Sequence, residues 1–288
     1  MEAKVILNRN KAAPGDIEAA LQAAGIEPSL EAVEGGTIDE RTRAALEQGA
    51  KLVVVGGGDG SVSAAAQAMA GSGATLGILP LGTLNHLARD LGLPFDLREA
   101  AAVIANGKAR TIDVAEVNGR TFVNNAAIGL YPLMVLDREA QQKRLGRSKR
   151  LAMLVASLRT MFRFHHQRLT LSGDGGEAQV DTPLLFVGNN DYRLAMPGAG
   201  KRPRLDDGRL CVMVLRKKGL PGFLAAVARG LLGLIREDDM VRLDHVERLC
   251  VGSARSSLTL ALDGETLRME PPLDFRIRKQ ALKVIVPA

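Results

Sequence analysis

The sequence predicts an N-terminal α/β unit built on a mainly parallel sheet, followed by an antiparallel β-sandwich, with the working site in the cleft between them. Three observations carry this expectation. From residue 3 to about 106, short β-branched runs alternate with stretches of helical periodicity, the pattern of βαβ units. After about residue 110, strand-like runs crowd together, separated by Gly, Asp and Asn turns. Two of the early strands run directly into polar, glycine-containing loops that open helices, and in open parallel sheets such loops line a ligand crevice.

The elements follow in order. Lys4-Val5-Ile6-Leu7-Asn8 is a first strand ending in Asn, and strands at 29–33, 51–55 and 75–79 continue the series. Helices are expected at 14–24, 38–49, 61–71, 84–91 and 96–106. In the second half, Val114–Val117, Phe122–Ala126, Arg168–Leu171, Leu184–Val187, Leu210–Leu215 and Leu258–Leu262 read as sandwich strands. Leu282-Lys283-Val284-Ile285-Val286 is a last strand whose place composition alone leaves open.

The most informative run is Val53-Val54-Val55-Gly56-Gly57-Gly58-Asp59-Gly60-Ser61. Glycines there are expected to allow positive φ and close approach of a polyphosphate, while the next helix offers unpaired N–H groups and a favourable dipole. Asp59 would repel phosphate, so it must hold a cation, accept a proton or hydrogen-bond the loop. The plain alternative is a βα turn in which Asp59 caps a helix starting at Ser61. One βα unit later the chain reads Pro80-Leu81-Gly82-Thr83-Leu84-Asn85-His86-Leu87-Ala88-Arg89-Asp90-Leu91-Gly92-Leu93-Pro94, a tight turn with a hydroxyl and an amide.

A strand ending in GGGDGS followed by PLGTLNHLARDLGLP resembles the diacylglycerol kinase catalytic-domain family, particularly its soluble bacterial lipid kinases, whose relatives include sphingosine and ceramide kinases. Two further segments are similar to the family: Leu260-Ala261-Leu262-Asp263-Gly264-Glu265, and Pro203-Arg204-Leu205-Asp206-Asp207-Gly208-Arg209-Leu210. With the first strand these matches run in order along nearly the whole chain. Departures are Arg9 where Pro is usual, Ser61 and Ser63 for the commoner Thr and Asn, and His86 where Asp is frequent.

The resemblance implies ATP-dependent phosphorylation of a lipid hydroxyl. ATP would lie across the strand ends, its phosphates against the backbone of Gly57, Gly58, Asp59 and Gly60 and the hydroxyls of Ser61 and Thr83. Asn8, Thr37, Val62, Ser63 and Asn85 complete the expected nucleotide set. Asp263 and Glu265 are the base candidates; in an extended strand they would share a face and point together into the cleft. An Asp-Gly hairpin turn with a solvated Glu is the other reading of that segment. Asp59 would position magnesium or order its loop. Asp207, with the carbonyls of Arg204 and Arg209, would hold a second Mg2+ ion, against the alternative of a plain β-turn. By the same resemblance the last strand returns to the first unit. The expected division is therefore residues 1–112 with 279–288 for the nucleotide and 113–278 for the lipid.

Composition fits and excludes other classes. The 288 residues are 46% hydrophobic, ample for a core, and carry a net charge of +6. There is no apolar stretch of membrane-spanning length, and Met1-Glu2-Ala3-Lys4 leads straight into a strand, so a cytoplasmic protein without a signal peptide is expected. Cys211 and Cys250 sit in apolar runs and read as buried thiols, and four histidines without a C-x-x-C motif make a zinc site improbable. With 3% aromatic residues and no Trp, nucleic acid is not an expected partner.

Arg138 to Arg168 holds nine Lys or Arg residues and one acid, with Leu151, Leu154, Val155, Leu158 and Phe162 at helical spacing. Such a helix suits transient contact with the inner membrane surface, or else packs its stripe on the sandwich. Leu220 to Ile235 is apolar enough to line a lipid cleft but too interrupted to span a bilayer. NAD kinases and phosphofructokinases share a GGDG loop, and a nucleotide-binding module without catalysis is the reading from another class. The acceptor lipid and the oligomeric state are not written in the sequence.

Overall fold

The computed structural model describes residues 1–129, 166–173, 176–192, 201–216, 222 and 240–288. The first half alternates β1 (Glu2–Asn8), α1 (Pro14–Ala23), β2 (Glu27–Val33), a 3-10 turn (Gly35–Thr37), α2 (Ile38–Glu47), β3 (Leu52–Gly57), α3 (Asp59–Met69), β4 (Thr75–Pro80), α4 (His86–Asp90) and α5 (Leu97–Asn106). Strands β2, β1, β3 and β4 lie side by side in that order, all parallel. Every residue of β3 is buried, because both faces are covered: Val53 and Val55 enter one apolar cluster and Val54 the opposite one. Asp96 starts α5 by accepting from the Arg98 and Glu99 amides at 2.9 and 3.0 Å, and the helix buries Ala100, Ala101 and Ile104.

The second half supplies β5 (Lys108–Val117), β6 (Arg120–Phe122), β7 (Asn125–Gly129), β8 (Gln167–Gly173), β9 (Gly176–Thr182), β10 (Leu184–Asn189), β11 (Leu210–Leu215), β12 (Met240–Val246), β13 (Arg248–Gly252), β14 (Leu258–Leu262), β15 (Glu265–Met269) and β16 (Leu273–Val286). Among the described residues, β12-β11-β10-β7-β14-β15 form an antiparallel sheet. It packs through Ile128, Leu185, Val187, Val212 and Leu260 against Val117, Phe122, Leu171, Val251 and Phe275 of the other layer. The Phe122 and Phe275 rings meet edge to face at 6.4 Å.

Strand β16 joins the two halves. Its first part pairs antiparallel with β13 and β5; its last part lies parallel to β4, with Lys283 opposite Thr75 and Val284 opposite Leu76. Among the described residues the parallel sheet and one sandwich layer are thus one ten-stranded sheet. The strand changes register between Arg278 and Leu282, where Gln280 takes φ +50° and its amide donates to Asp113 Oδ1 at 2.8 Å.

The fold class is as expected, with local differences. The expected strand 122–126 is broken at Val123–Asn124 into β6 and β7. Strands β9, β12, β13 and β15 were not foreseen; β9 reads Gly-Glu-Ala-Gln-Val-Asp-Thr, an exposed edge without apolar alternation. No helix among the described residues is long and apolar enough to cross a membrane. Nearly all of the basic stripe between 138 and 168, and of the apolar run 220–235, falls outside the described residues.

Candidate active site

The site is built where β3 and β4 end. Helix α3 begins at Asp59 with Gly58 as its cap residue, two residues earlier than expected, and the Val62 amide closes its first turn on the Gly58 carbonyl at 3.0 Å. Ser61 is therefore inside the helix. None of Gly56, Gly57, Gly58 or Gly60 has positive φ, contrary to expectation. Glycine is required there by proximity: a Cβ on Gly57 would stand 2.4 Å from Ser61 Cβ, and one on Gly82 would stand 2.6 Å from Gly58 Cα. The two loops touch backbone to backbone.

Asp59 fastens them. Its Oδ2 accepts from the Asn85 amide at 2.9 Å and its Oδ1 from the His86 amide at 2.5 Å, so it caps α4 from the neighbouring loop. Asn85 sits at φ +50° and turns its side chain into its own loop. It accepts from the Gly82 amide at 2.9 Å and donates to the Gly82 and Pro80 carbonyls at 2.8 and 3.3 Å. Both amide hydrogens and the amide oxygen of its side chain serve the turn.

A groove of about 340 Å³ lies over these loops, lined by Gly58 to Ser61, Gly82 to Leu84, Asn8, Lys11 and Glu265. Thr83 is exposed in it. Ser61 Oγ is buried against Asn8, whose Nδ2 donates to it at 3.2 Å. Val62 packs its side chain in the core, and Ser63 faces the second sheet. The Thr37 hydroxyl donates to the Glu34 carbonyl at 3.0 Å, within its own turn. Lys11 was missed by sequence reasoning; its amide bonds the Asn8 carbonyl at 2.9 Å, a turn that brings this cation to the groove.

Asp263 and Gly264 form the two-residue turn of the β14–β15 hairpin, at φ +48° and +90°, with Leu262 paired to Glu265. The hairpin reading is the one observed, so a turn replaces the expected shared strand face, and both residues border one recess. Asp263 Oδ1 accepts from the Asn124 and Asn125 amides at 2.8 and 3.1 Å; Oδ2 accepts from the Val123 amide at 2.9 Å and from Ser63 Oγ at 2.5 Å. Burial pushes its pKa above the usual carboxylate value, against the opposing pull of the four donors. With its lone pairs taken up, Asp263 positions the hairpin.

Glu265 is exposed at the hairpin's edge, and a Cβ on Gly60 would stand 3.3 Å from its Oε1. It borders both the groove and an adjoining recess of about 260 Å³ lined by Gly36, Asp39, Ser63, Gln67 and Arg120. A carboxylate beside the first turn of α3 and open to the groove is placed to take a proton from a hydroxyl brought there.

The Asp206-Asp207-Gly208 turn docks elsewhere. The Gly208 amide donates to Asp113 Oδ2 at 2.7 Å and the Asp207 amide to Asn190 Oδ1 at 3.0 Å. The Asp207 carboxylate faces the Arg204 guanidinium at 3.3 Å, and the Arg209 carbonyl accepts from the Asn190 amide at 3.1 Å. Among the described residues no cluster of three or more carboxylate, imidazole or thiol groups could hold a metal. One carboxylate and two carbonyls suit a hard cation, provided that the guanidinium is displaced.

Comparisons with known proteins bear on the family and the fold. The family described as "Diacylglycerol kinase catalytic domain" matches residues 4–117, and that described as "YegS C-terminal NAD kinase beta sandwich-like domain" matches 134–286. A Pseudomonas syringae protein named "Probable lipid kinase YegS-like" is 33% identical over 261 residues, covering 88% of this chain and 82% of its own. A Bacillus subtilis "Diacylglycerol kinase" is 28% identical over 223 residues, covering 76% and 73%. Among solved structures, a diacylglycerol kinase from Bacillus anthracis aligns with TM-score 0.70 at 19% identity, over 99% of this chain and 96% of that one. An NAD kinase from Archaeoglobus fulgidus in complex with ATP aligns with TM-score 0.54 at 12% identity, over 99% and 93%. At these identities the structures speak for the fold alone.

Proposed function

Because the chain belongs to the YegS-like lipid kinases of the diacylglycerol kinase catalytic-domain family, and is thus a kinase, we propose that it transfers the γ-phosphate of ATP to the free hydroxyl of a lipid such as diacylglycerol. The observation that carries this reading is the position of Glu265, exposed in the groove beside Gly60 at the start of α3.

Glu265 takes the proton of the acceptor hydroxyl, the freed oxygen attacks the γ-phosphorus in line, the bond to the bridging oxygen breaks and ADP departs. The first N–H groups of α3 and the Lys11 ammonium draw the phosphates into the groove, because the helix start lacks internal partners for those donors. Asp59 keeps the two loops in contact, and Asp263 keeps the hairpin against α3. Magnesium, when bound, spreads the charge on the transferring phosphoryl group. Asp207 with the Arg204 and Arg209 carbonyls would hold a further ion that shapes the sandwich.

The division into a nucleotide-binding part, 1–112 with 279–288, and a lipid-binding part, 113–278, is supported by the register change at Arg278–Leu282 beside Asp113. The basic run from Arg138 to Arg168 supports transient contact of a cytoplasmic enzyme with an anionic membrane surface.

The test is transfer of radiolabelled γ-phosphate from ATP with magnesium to diacylglycerol, phosphatidylglycerol, sphingosine and NAD. Label in a lipid, lost in Glu265→Gln, is the expected result. Label in NAD alone, or in none of the acceptors despite ATP binding, overturns the reading.

A further inference from the structure

Arg202 lies in none of the sequence motifs, yet its guanidinium is wholly buried and ties three elements together. Its Nε donates to Asp90 Oδ2 at 2.7 Å, at the end of α4. Nη1 donates to the Val123 carbonyl and, at 3.4 Å, to that of Asn189; Nη2 donates to Asn124 Oδ1 at 3.0 Å. The group lies 5.6 Å from the centre of the Tyr192 ring, whose hydroxyl donates to the Asn124 carbonyl at 3.0 Å. The turn that Arg202 grips by the Val123 carbonyl and the Asn124 side chain is therefore the one whose amides grip Asp263. The other end of α4 carries the amides that Asp59 grips. The contacts run without a break from the phosphate loop through α4, Arg202 and Val123–Asn124 to the hairpin, and so to Glu265.

We propose that Arg202 is a positioning residue, which sets Glu265 over the phosphate loop by locking the Val123–Asn124 turn to α4. A planar fork spreads its donors in fixed directions over acceptors on three elements, whereas a lysine gathers three donors at one point and does not reproduce that span. Loss of the fork frees the turn, the Asp263 clamp loosens and the base drifts. Helix α4 keeps Asp59 and its buried Leu87 and Ala88, so the nucleotide end of the groove survives.

This rests on the lipid-kinase reading, and the test separates the two. Arg202→Lys is made alone and with Ser63→Ala, and Asp90→Asn serves as a variant that keeps side-chain shape. With the lipid that the wild type phosphorylates, Arg202→Lys lowers kcat about tenfold while KM for ATP stays within about twofold, and the double variant is no slower than the slower single one. Hydrogen exchange at the amides of residues 123–125, which needs no substrate, quickens in both Arg202→Lys and Asp90→Asn. Unchanged exchange, an unchanged kcat in a folded Arg202→Lys protein, or independent multiplication of the two defects overturns the proposal. A wild type that phosphorylates no lipid overturns the kinase reading, and the exchange rates still decide on Arg202.

Discussion

Ser63 Oγ donates to Asp263 Oδ2 at 2.5 Å, joining the second turn of α3 to a hairpin 200 residues further along the chain. Few contacts across the cleft bear so directly on Glu265, two residues beyond Asp263. Leaving a buried acceptor without its donor costs about 1–3 kcal/mol. Ser63→Ala is expected to lower stability by about that amount in urea unfolding and to lower kcat, with KM for ATP little changed. Equal kcat in the two proteins would detach the clamp from catalysis.

Asp263→Asn tests the same clamp from the other side. The amide keeps the shape but turns one acceptor into a donor facing backbone N–H groups, leaving buried donors unpaired at about 1–3 kcal/mol each. The melting temperature should fall by several degrees together with activity. A variant as stable as the wild type would show that the four donors do not hold the turn.

Glu265→Gln should behave in the opposite way. The side chain is exposed, so the fold loses little, while loss of the proposed general base is expected to lower kcat by about 10²–10⁴-fold. A melting curve and a single-turnover assay with the accepted lipid separate this variant from Asp263→Asn. Wild-type kcat in Glu265→Gln would remove the residue from proton transfer.

Gly82 and Gly60 differ in what surrounds them. A Cβ on Gly82 meets Gly58 Cα and Asn85 Oδ1, both at 2.6 Å, so Gly82→Ala must part the two loops and should abolish ATP binding measured calorimetrically. A Cβ on Gly60 meets only the tip of the flexible Glu265 side chain at 3.3 Å. Gly60→Ala should therefore bind ATP and lose mainly kcat.

Much of the architecture was legible because alternation and punctuation are local signals. The runs 51–55 and 75–79 declare parallel strands by composition alone, and strands stand there at Leu52–Gly57 and Thr75–Pro80. The candidate site residues stood out in the sequence, whereas their contacts did not. Asp59, Ser63 and Asp263 turn out to spend their polar atoms on partners 26 to 200 positions away, beyond what spacing can tell, while Asn85 turns its side chain into its own loop. Arg202 carried no sequence signal, since a buried arginine is recognised only by the acceptors that the fold gathers round it. Polar edge strands such as β9 escaped for a simpler reason: one-sided or absent burial erases the period-two pattern.

Burial raises the Cys211 thiol to about 11 and the Tyr192 phenol to about 12, from ordinary values of 9.0 and 10.0. In the folded protein both stay protonated where the unfolded chain would ionise. The native state therefore binds more protons through that window, and the stability they contribute, complete below about pH 9, is lost as pH rises through the folded values. Tyr192→Phe gives up the hydrogen bond to Asn124, about 1 kcal/mol, and should be less stable than the wild type at pH 8. It also gives up the phenol's titration, so the deficit should shrink as pH approaches 11. Urea unfolding of both proteins at several alkaline pH values reads this directly, and a deficit that stays constant would mean that Tyr192 ionises alike in the folded and unfolded chains.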